Sequence, residues 1–254
     1  MKTVKVIVLF GDGINCERET SLAFRELGAD VQIVHINDLL KKPVLLKEFD
    51  IMAIPGGFSF GDELGSGRLL ALKIKHGLLD EFKNFVESKK PIIGICNGFQ
   101  VLVQLGLFSK SDENLTLTYN ESGNFINKWV DLEVEENTRC KWIDNSFKGE
   151  TFRLPIRHGE GNFNTNNDQK KECLENLKLS GNIVLRYKEN INGSMGNIAG
   201  ICDDSGLVFG LMPHPEAAFF KATSEKISKN ILDKGVGVNF FGPIIKLVGE
   251  ECHE

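Results

Sequence analysis

The sequence predicts an α/β protein with a doubly wound, mostly parallel central sheet flanked by helices and a small antiparallel extension. Three observations carry this expectation. The runs Val4 to Phe10, Ile51 to Ile54 and Pro91 to Ile95 are apolar without alternation, as strands buried on both faces of a parallel sheet must be. Helical spacing and closing glycines separate such runs. In the second half the pattern changes, and Val130, Leu132 and Val134 alternate with Asp131 and Glu133 as in a half-buried strand.

In order, the first strand at Val4 to Phe10 leads into a helix from Glu17 to Leu27, ended by Gly28. Val31 to Ile36 reads as a second strand and Ile51 to Ile54 as a third. Leu78, Phe82, Phe85 and Val86 fall on one helical face before Pro91 opens the fourth strand. Further short strands near Phe152, Val184, Ile198 and Leu207 make up the antiparallel extension. The polar segment from Asn162 to Lys171 reads as an exposed loop. From Ala217 the chain reads as helical as far as Lys234, followed by a glycine-rich turn region.

The fourth strand ends in Gly94-Ile95-Cys96-Asn97-Gly98-Phe99-Gln100, and a helix follows at once through Val101, Leu102 and Leu105. A nucleophile on so sharp a strand-to-helix turn crowds its neighbours, and glycines two residues to either side leave room for the backbone. The helix start adds free amides and the positive end of its dipole, which favour the negative charge an attacking sulfur carries. The Asn97 amide faces any oxyanion formed over Cys96. Most cysteines in apolar runs are structural, and the paired glycines are what argue otherwise here.

A cysteine nucleophile needs a base, and the base an orienting group. Of five histidines, His214 stands out, because the run Leu207 to Met212 delivers it into Pro213-His214-Pro215-Glu216. In extended backbone, which the flanking prolines favour, His214 and Glu216 share one side. Cys96 is then nucleophile, His214 base and Glu216 the carboxylate that fixes the imidazole tautomer.

The whole chain is compatible with such an enzyme. At 254 residues and 41% hydrophobic content it can bury one good core, and with no linker or repeat one domain over 1–254 is expected. A net charge of −5 and an isoelectric point near 5.7 argue against a nucleic-acid surface. No apolar run approaches the roughly 20 residues of a membrane span, so no membrane partner and a cytoplasmic location are expected. The six cysteines show no paired or zinc-type spacing, so reduced thiols and no metal are the expectation. One rival motif, Gly11-Asp12-Gly13-Ile14-Asn15-Cys16 with Asp38 downstream, sits between strand and helix as a dinucleotide loop would, but Cys16 stands at the third glycine position.

Pro55-Gly56-Gly57-Phe58-Ser59-Phe60-Gly61-Asp62, the Cys96 segment, His158-Gly159-Glu160-Gly161 and Gly210-Leu211-Met212-Pro213-His214-Pro215-Glu216 together resemble the class I, or triad, glutamine amidotransferases. More narrowly they resemble the glutaminase subunits of phosphoribosylformylglycinamidine synthases of purine biosynthesis, with Asn15-Cys16, Asn192-Gly193-Ser194 and Asn197-Ile198-Ala199-Gly200-Ile201 in support. The matching motifs run from about residue 6 to 216. The tail at about 222–254 is less familiar, and the loop from Asp62 to Arg68 lacks the arginine that the family often has after the leucine.

The resemblance implies a flavodoxin-like fold and hydrolysis of glutamine through a Cys96 thioester to glutamate and ammonia. It implies Gly57 and Asn97 as oxyanion donors, with Ser59, Gln100 and His158 around the substrate. It implies two partners, the synthetase subunit and a small accessory one, with ATP and magnesium on the synthetase and no cofactor in this chain. The alternatives are a stand-alone cysteine amidase or peptidase, and a non-catalytic assembly module.

Overall fold

Val6, Ile7, Val8 and Leu9 are fully buried because β1 (Lys5–Phe10) lies between two parallel neighbours, β2 (Asp30–His35) and β3 (Ile51–Ile54). The computed structural model, which describes residues 3–108, 115–165, 170–224 and 232–251, continues this sheet through β4 (Ile92–Ile95). Ile92, Ile93 and Ile95 are fully buried, each contributing about 2 kcal/mol of apolar burial. The fifth parallel strand is β11 (Val208–Leu211), in register with β4 from Val208 opposite Ile92 to Leu211 opposite Ile95.

This placement corrects one expectation. The strand near Leu207 pairs antiparallel with β10 (Ile198–Cys202) but belongs to the parallel half through β4. The antiparallel extension is four strands wide and continues the same sheet, in the order β10, β9 (Ile183–Tyr187), β6 (Ile126–Val134) and β7 (Thr151–His158). Along β6 the alternation holds, with Val130, Leu132 and Val134 buried and Asp131 and Glu133 exposed.

Helices α1 (Glu17–Arg25), α2 (Ile36–Lys41), α3 (Arg68–Gly77) and α4 (Leu79–Glu87) flank the parallel half. The helix after Cys96, α5 (Asn97–Leu105), is buried at every position but Gln104, because it runs between the sheet, α3 and β5 (Leu115–Thr118). Gly106 ends it at φ 72°, the left-handed cap glycine adopts most cheaply.

Two further expectations are corrected. Asn162 to Lys171 is not simply a loop: Asn162–Thr165 forms β8, paired with β5 in a separate ribbon, and Lys170–Leu179 forms α6, while 166–169 lie outside the described residues. Phe163 and Thr165 face inward, so the strand holds despite its polar composition. After Ala217 the described backbone is short 3-10 turns at Glu216–Ala218, Lys221–Thr223 and Val236–Phe240, with 225–231 outside the described residues. The tail then closes on α7 (Gly242–Glu251), whose Ile244 is fully buried.

Candidate active site

Cys96 stands between β4 and α5 with φ 51° and ψ −104°, a conformation that costs an L-residue about 1–3 kcal/mol. The surroundings enforce it. The Cys96 amide donates to Leu211 O at 2.7 Å, locking the turn to β11. A Cβ on Gly98 would lie 1.9 Å from Ile54 O, so only glycine lets α5 start this close to β3.

Because β11 is the parallel neighbour of β4, the chain leaving it carries His214 to the same end of the sheet. There the His214 amide donates to Pro155 O at 2.9 Å, and His214 Nδ1 lies 2.6 Å from Glu216 Oε1, with both side chains almost fully buried. The pairing is as expected, but its backbone cause is not. Pro215 is right-handed helical at φ −66° and ψ −30°, so Glu216 reaches the ring by a tight turn rather than by strand alternation.

A Cβ on Gly56 would lie 2.8 Å from His214 Cε1, 3.4 Å from Cys16 Sγ and 3.5 Å from Cys96 Cβ, which shows how closely these side chains gather. Burial works against a charged imidazole at His214. The Glu216 carboxylate, followed by the Cys96 and Cys16 thiols, outweighs that effect and holds His214 well above its ordinary value. Neither thiol is aligned on Nε2, which is buried without a partner among the described residues. Instead Cys96 Sγ donates to Arg157 O at 3.6 Å, on β7.

The last strand of the sheet thus returns over the nucleophile, because the antiparallel half curls around the end of β4 and β11. His158 ends β7, and its Nδ1 lies 3.0 Å from Asn120 Oδ1, which also accepts from the Gly161 amide at 3.1 Å. Burial, then the charge at His214, lowers His158 to about 4, so its ring is neutral at ordinary pH. Asn192 donates from Nδ2 to Gly161 O at 2.7 Å, which gives the Asn192-Gly193-Ser194 motif its role in holding this loop.

The Ser59 amide donates to Asn97 Oδ1 at 3.2 Å, Asn97 Nδ2 to Gln100 Oε1 at 2.9 Å, and Gln100 Nε2 to Glu160 O at 2.7 Å. Ser59, Asn97, Gln100 and His158 are all buried in this surround. Gly57, at φ 146°, crosses the loop at Ile14, and its amide, like that of Asn97, has no hydrogen-bond partner among the described residues. Sequence reasoning missed Asn120, Arg157 and Tyr187. The buried Tyr187 hydroxyl is pushed up by burial and then by Cys96. Cys16 was legible only as a loop motif. The loop holding it is no phosphate cradle: the Asn15 and Cys16 amides go to Gly56 O, the Phe58 and Phe60 amides fill Gly13 O and Asp12 O, and Asp38 pairs with Lys41 on the surface.

The model of the CobB/CobQ-like glutamine amidotransferase domain matches residues 3–246. The chain belongs to this glutamine amidotransferase family. The amidotransferase is 41% identical over 230 residues to phosphoribosylformylglycinamidine synthase subunit PurQ of Methanococcus maripaludis, covering 85% of this chain and 84% of that one. It is 38% identical over 254 residues to the subunit of the same name from Dehalococcoides mccartyi, covering 97% and 98%. Among solved structures, a chain of PurLQS from Thermotoga maritima superposes with a TM-score of 0.74 at 33% identity, over the whole of both chains. A glutamine amidotransferase from the same organism, at 16% identity and a TM-score of 0.54 over 85% of this chain and 77% of that one, shares the fold. Among the described residues of the amidotransferase, no helix is long and apolar enough to cross a membrane.

Proposed function

We propose that the chain is the glutaminase subunit of a phosphoribosylformylglycinamidine synthase, folded as one domain over 1–254, and that Cys96, His214 and Glu216 carry its chemistry. The observation that carries this reading is a strained elbow cysteine beside a buried His–Glu pair, with two unpartnered amides close by. The Cys96 sulfur attacks the amide carbon of glutamine as His214 takes its proton, and the oxyanion is held by the Gly57 and Asn97 amides. The carbon–nitrogen bond then breaks, His214 protonates the departing nitrogen, and ammonia leaves a thioester on Cys96. Water activated by His214 hydrolyses that thioester to glutamate and the free thiol. Glu216 holds the imidazole in orientation throughout. For this the Cys96 thiol turns from Arg157 O toward the ring, a rotation about one side-chain bond.

Ser59 and Gln100 shape the glutamine pocket through Asn97, and the neutral His158 closes it from β7. The ammonia passes to a synthetase subunit, which uses ATP and magnesium to convert formylglycinamide ribonucleotide to its amidine; a small accessory subunit completes the complex. This chain holds no cofactor of its own and works in the cytoplasm. The relatives' names and the 33% identical PurLQS chain support the pairing with a synthetase subunit.

The test is stoichiometric labelling by a glutamine-analogue electrophile with the synthetase present, alongside glutamate release. Wild type takes one label on Cys96, and Cys96→Ala takes none and releases no glutamate. Glutamate release by Cys96→Ala in the reconstituted complex overturns the reading, and an unlabelled wild-type Cys96 favours an assembly module.

A further inference from the structure

Cys16 has no part in the hydrolysis just described, yet it lies against its base. Cys16 Sγ, a ring nitrogen of His214 and a carboxylate oxygen of Glu216 all lie within 4.8 Å of one another, and all three side chains are buried. His214 Nδ1 and Glu216 Oε1 already face each other at 2.6 Å, and Glu216 Oε2, on the same carboxylate, is buried with no hydrogen-bond partner among the described residues. Buried polar atoms left in this state are rare and costly.

We propose that Cys16, His214 and Glu216 form a binding site for a thiophilic divalent cation of the zinc class, and that its occupation switches off the base. A sulfur, an imidazole nitrogen and a carboxylate oxygen are the donor set that zinc prefers, in the three-protein-ligand form that leaves a fourth position open. Donors around a tetrahedral zinc stand about 3.5 Å apart. Nδ1 and Oε1, now 2.6 Å apart, open by about 1 Å and Cys16 Sγ closes from within 4.8 Å to reach that spacing, which is the scale of small rotamer shifts.

Charge balance favours the same ion. A Cys16 thiolate and the Glu216 carboxylate together neutralise a divalent cation, and coordination releases the displaced protons to solvent. The donors are also held from two sides. Cys16 caps α1 with its amide on Gly56 O at 3.3 Å, and its carbonyl accepts from Thr20 Oγ1 at 2.7 Å, while the turn after β11 fixes the other two. The occupied site removes His214 from proton transfer to Cys96 and withdraws Glu216 from its orienting bond, so glutamine hydrolysis stops until a chelator extracts the ion.

The test is direct binding of Co2+ to the full, reduced, chelator-stripped chain, read by thiolate-to-cobalt charge-transfer absorption and displaced by Zn2+. It needs no catalysis, so its outcome is independent of the glutaminase reading. Wild type takes up one Co2+ with the charge-transfer band, and Cys96→Ala keeps the band because Cys16 supplies the thiolate. Cys16→Ala and Cys16→Ser, the second guarding against a packing defect in the first, lose the band. Glu216→Gln weakens uptake about tenfold or more. Absence of uptake by wild type, persistence of the band in both Cys16 variants, or its loss in Cys96→Ala overturns the proposal.

Discussion

His158 shows how a single residue's setting changes its chemistry. The unfolded chain's histidine takes a proton near 6.5, whereas the folded ring, desolvated between β7 and the Asn120 loop, accepts one only at about 4. Its folded value is depressed, so the unfolded state binds more protons across that window and stability falls as pH drops through it, by about 3 kcal/mol in full. Above 6.5 the effect vanishes. In His158→Gln the acid loss is absent, so the difference in urea midpoint between variant and wild type changes as pH falls from 6.5 to 4. A difference constant across that range sinks the argument. At this scale Cys96, His214 and Glu216 were legible because the sequence around them is marked locally: a glycine-framed turn at Cys96, and a histidine between two prolines with a carboxylate two residues on. Asn120, Arg157 and Tyr187 were not, because each acts from a distant element and nothing in its neighbours marks it, while Cys16 was marked only by the loop motif it ends.

At the scale of elements, the parallel half was readable because strands buried on both faces must be apolar throughout, and β1 after Lys5, β3 and β4 are. β8 and α6 were not, since Asn162–Thr165 carries its buried side chains at alternate positions of a four-residue strand, too short for a period to show. The partner of β11 was hidden for another reason: pairing with β4 is a tertiary choice across more than a hundred residues. The elbow between β4 and α5 gives a sharp comparison of two glycines. At Gly98 a methyl group would meet Ile54 O at 1.9 Å, a backbone atom that cannot turn aside, whereas at Gly106 nothing lies within 4 Å and only φ 72° is unfavourable. Gly106→Ala therefore costs about 1 kcal/mol, while Gly98→Ala costs about 3 kcal/mol or more and displaces the start of α5. Denaturant midpoints measure both. Labelling of Cys96 by a glutamine-analogue electrophile slows only in Gly98→Ala, and equal effects at the two positions would refute the steric account.

At the scale of the molecule, the two halves of one sheet meet at the site because the antiparallel half curls until β7 lies over the end of β4. Gln100 is the side chain that joins them. Its Oε1 accepts from Asn97, whose Oδ1 in turn holds the Ser59 amide, and its Nε2 donates to Glu160 O, while Glu160 Oε2 takes the Ser66 amide at 3.2 Å. The loop after β3, the start of α5 and the loop after β7 are thereby one hydrogen-bonded unit around Cys96. Gln100→Ala leaves the buried Asn97 Nδ2 without a partner, worth about 1–3 kcal/mol, and the half-buried Glu160 O without its tie, worth less because water reaches it. The loss is local to that unit, so amide exchange quickens at Ser59 and Ser66 while β1 and β3 keep their protection. Hydrogen exchange followed by mass spectrometry resolves the two regions. Glutamine affinity falls with loop order, so KM rises more than kcat drops, and restoring only the acceptor with Gln100→Glu rescues the Asn97 contact without the tie to Glu160. Uniform faster exchange across the sheet would mean that Gln100 supports the fold as a whole rather than joining its halves at the site.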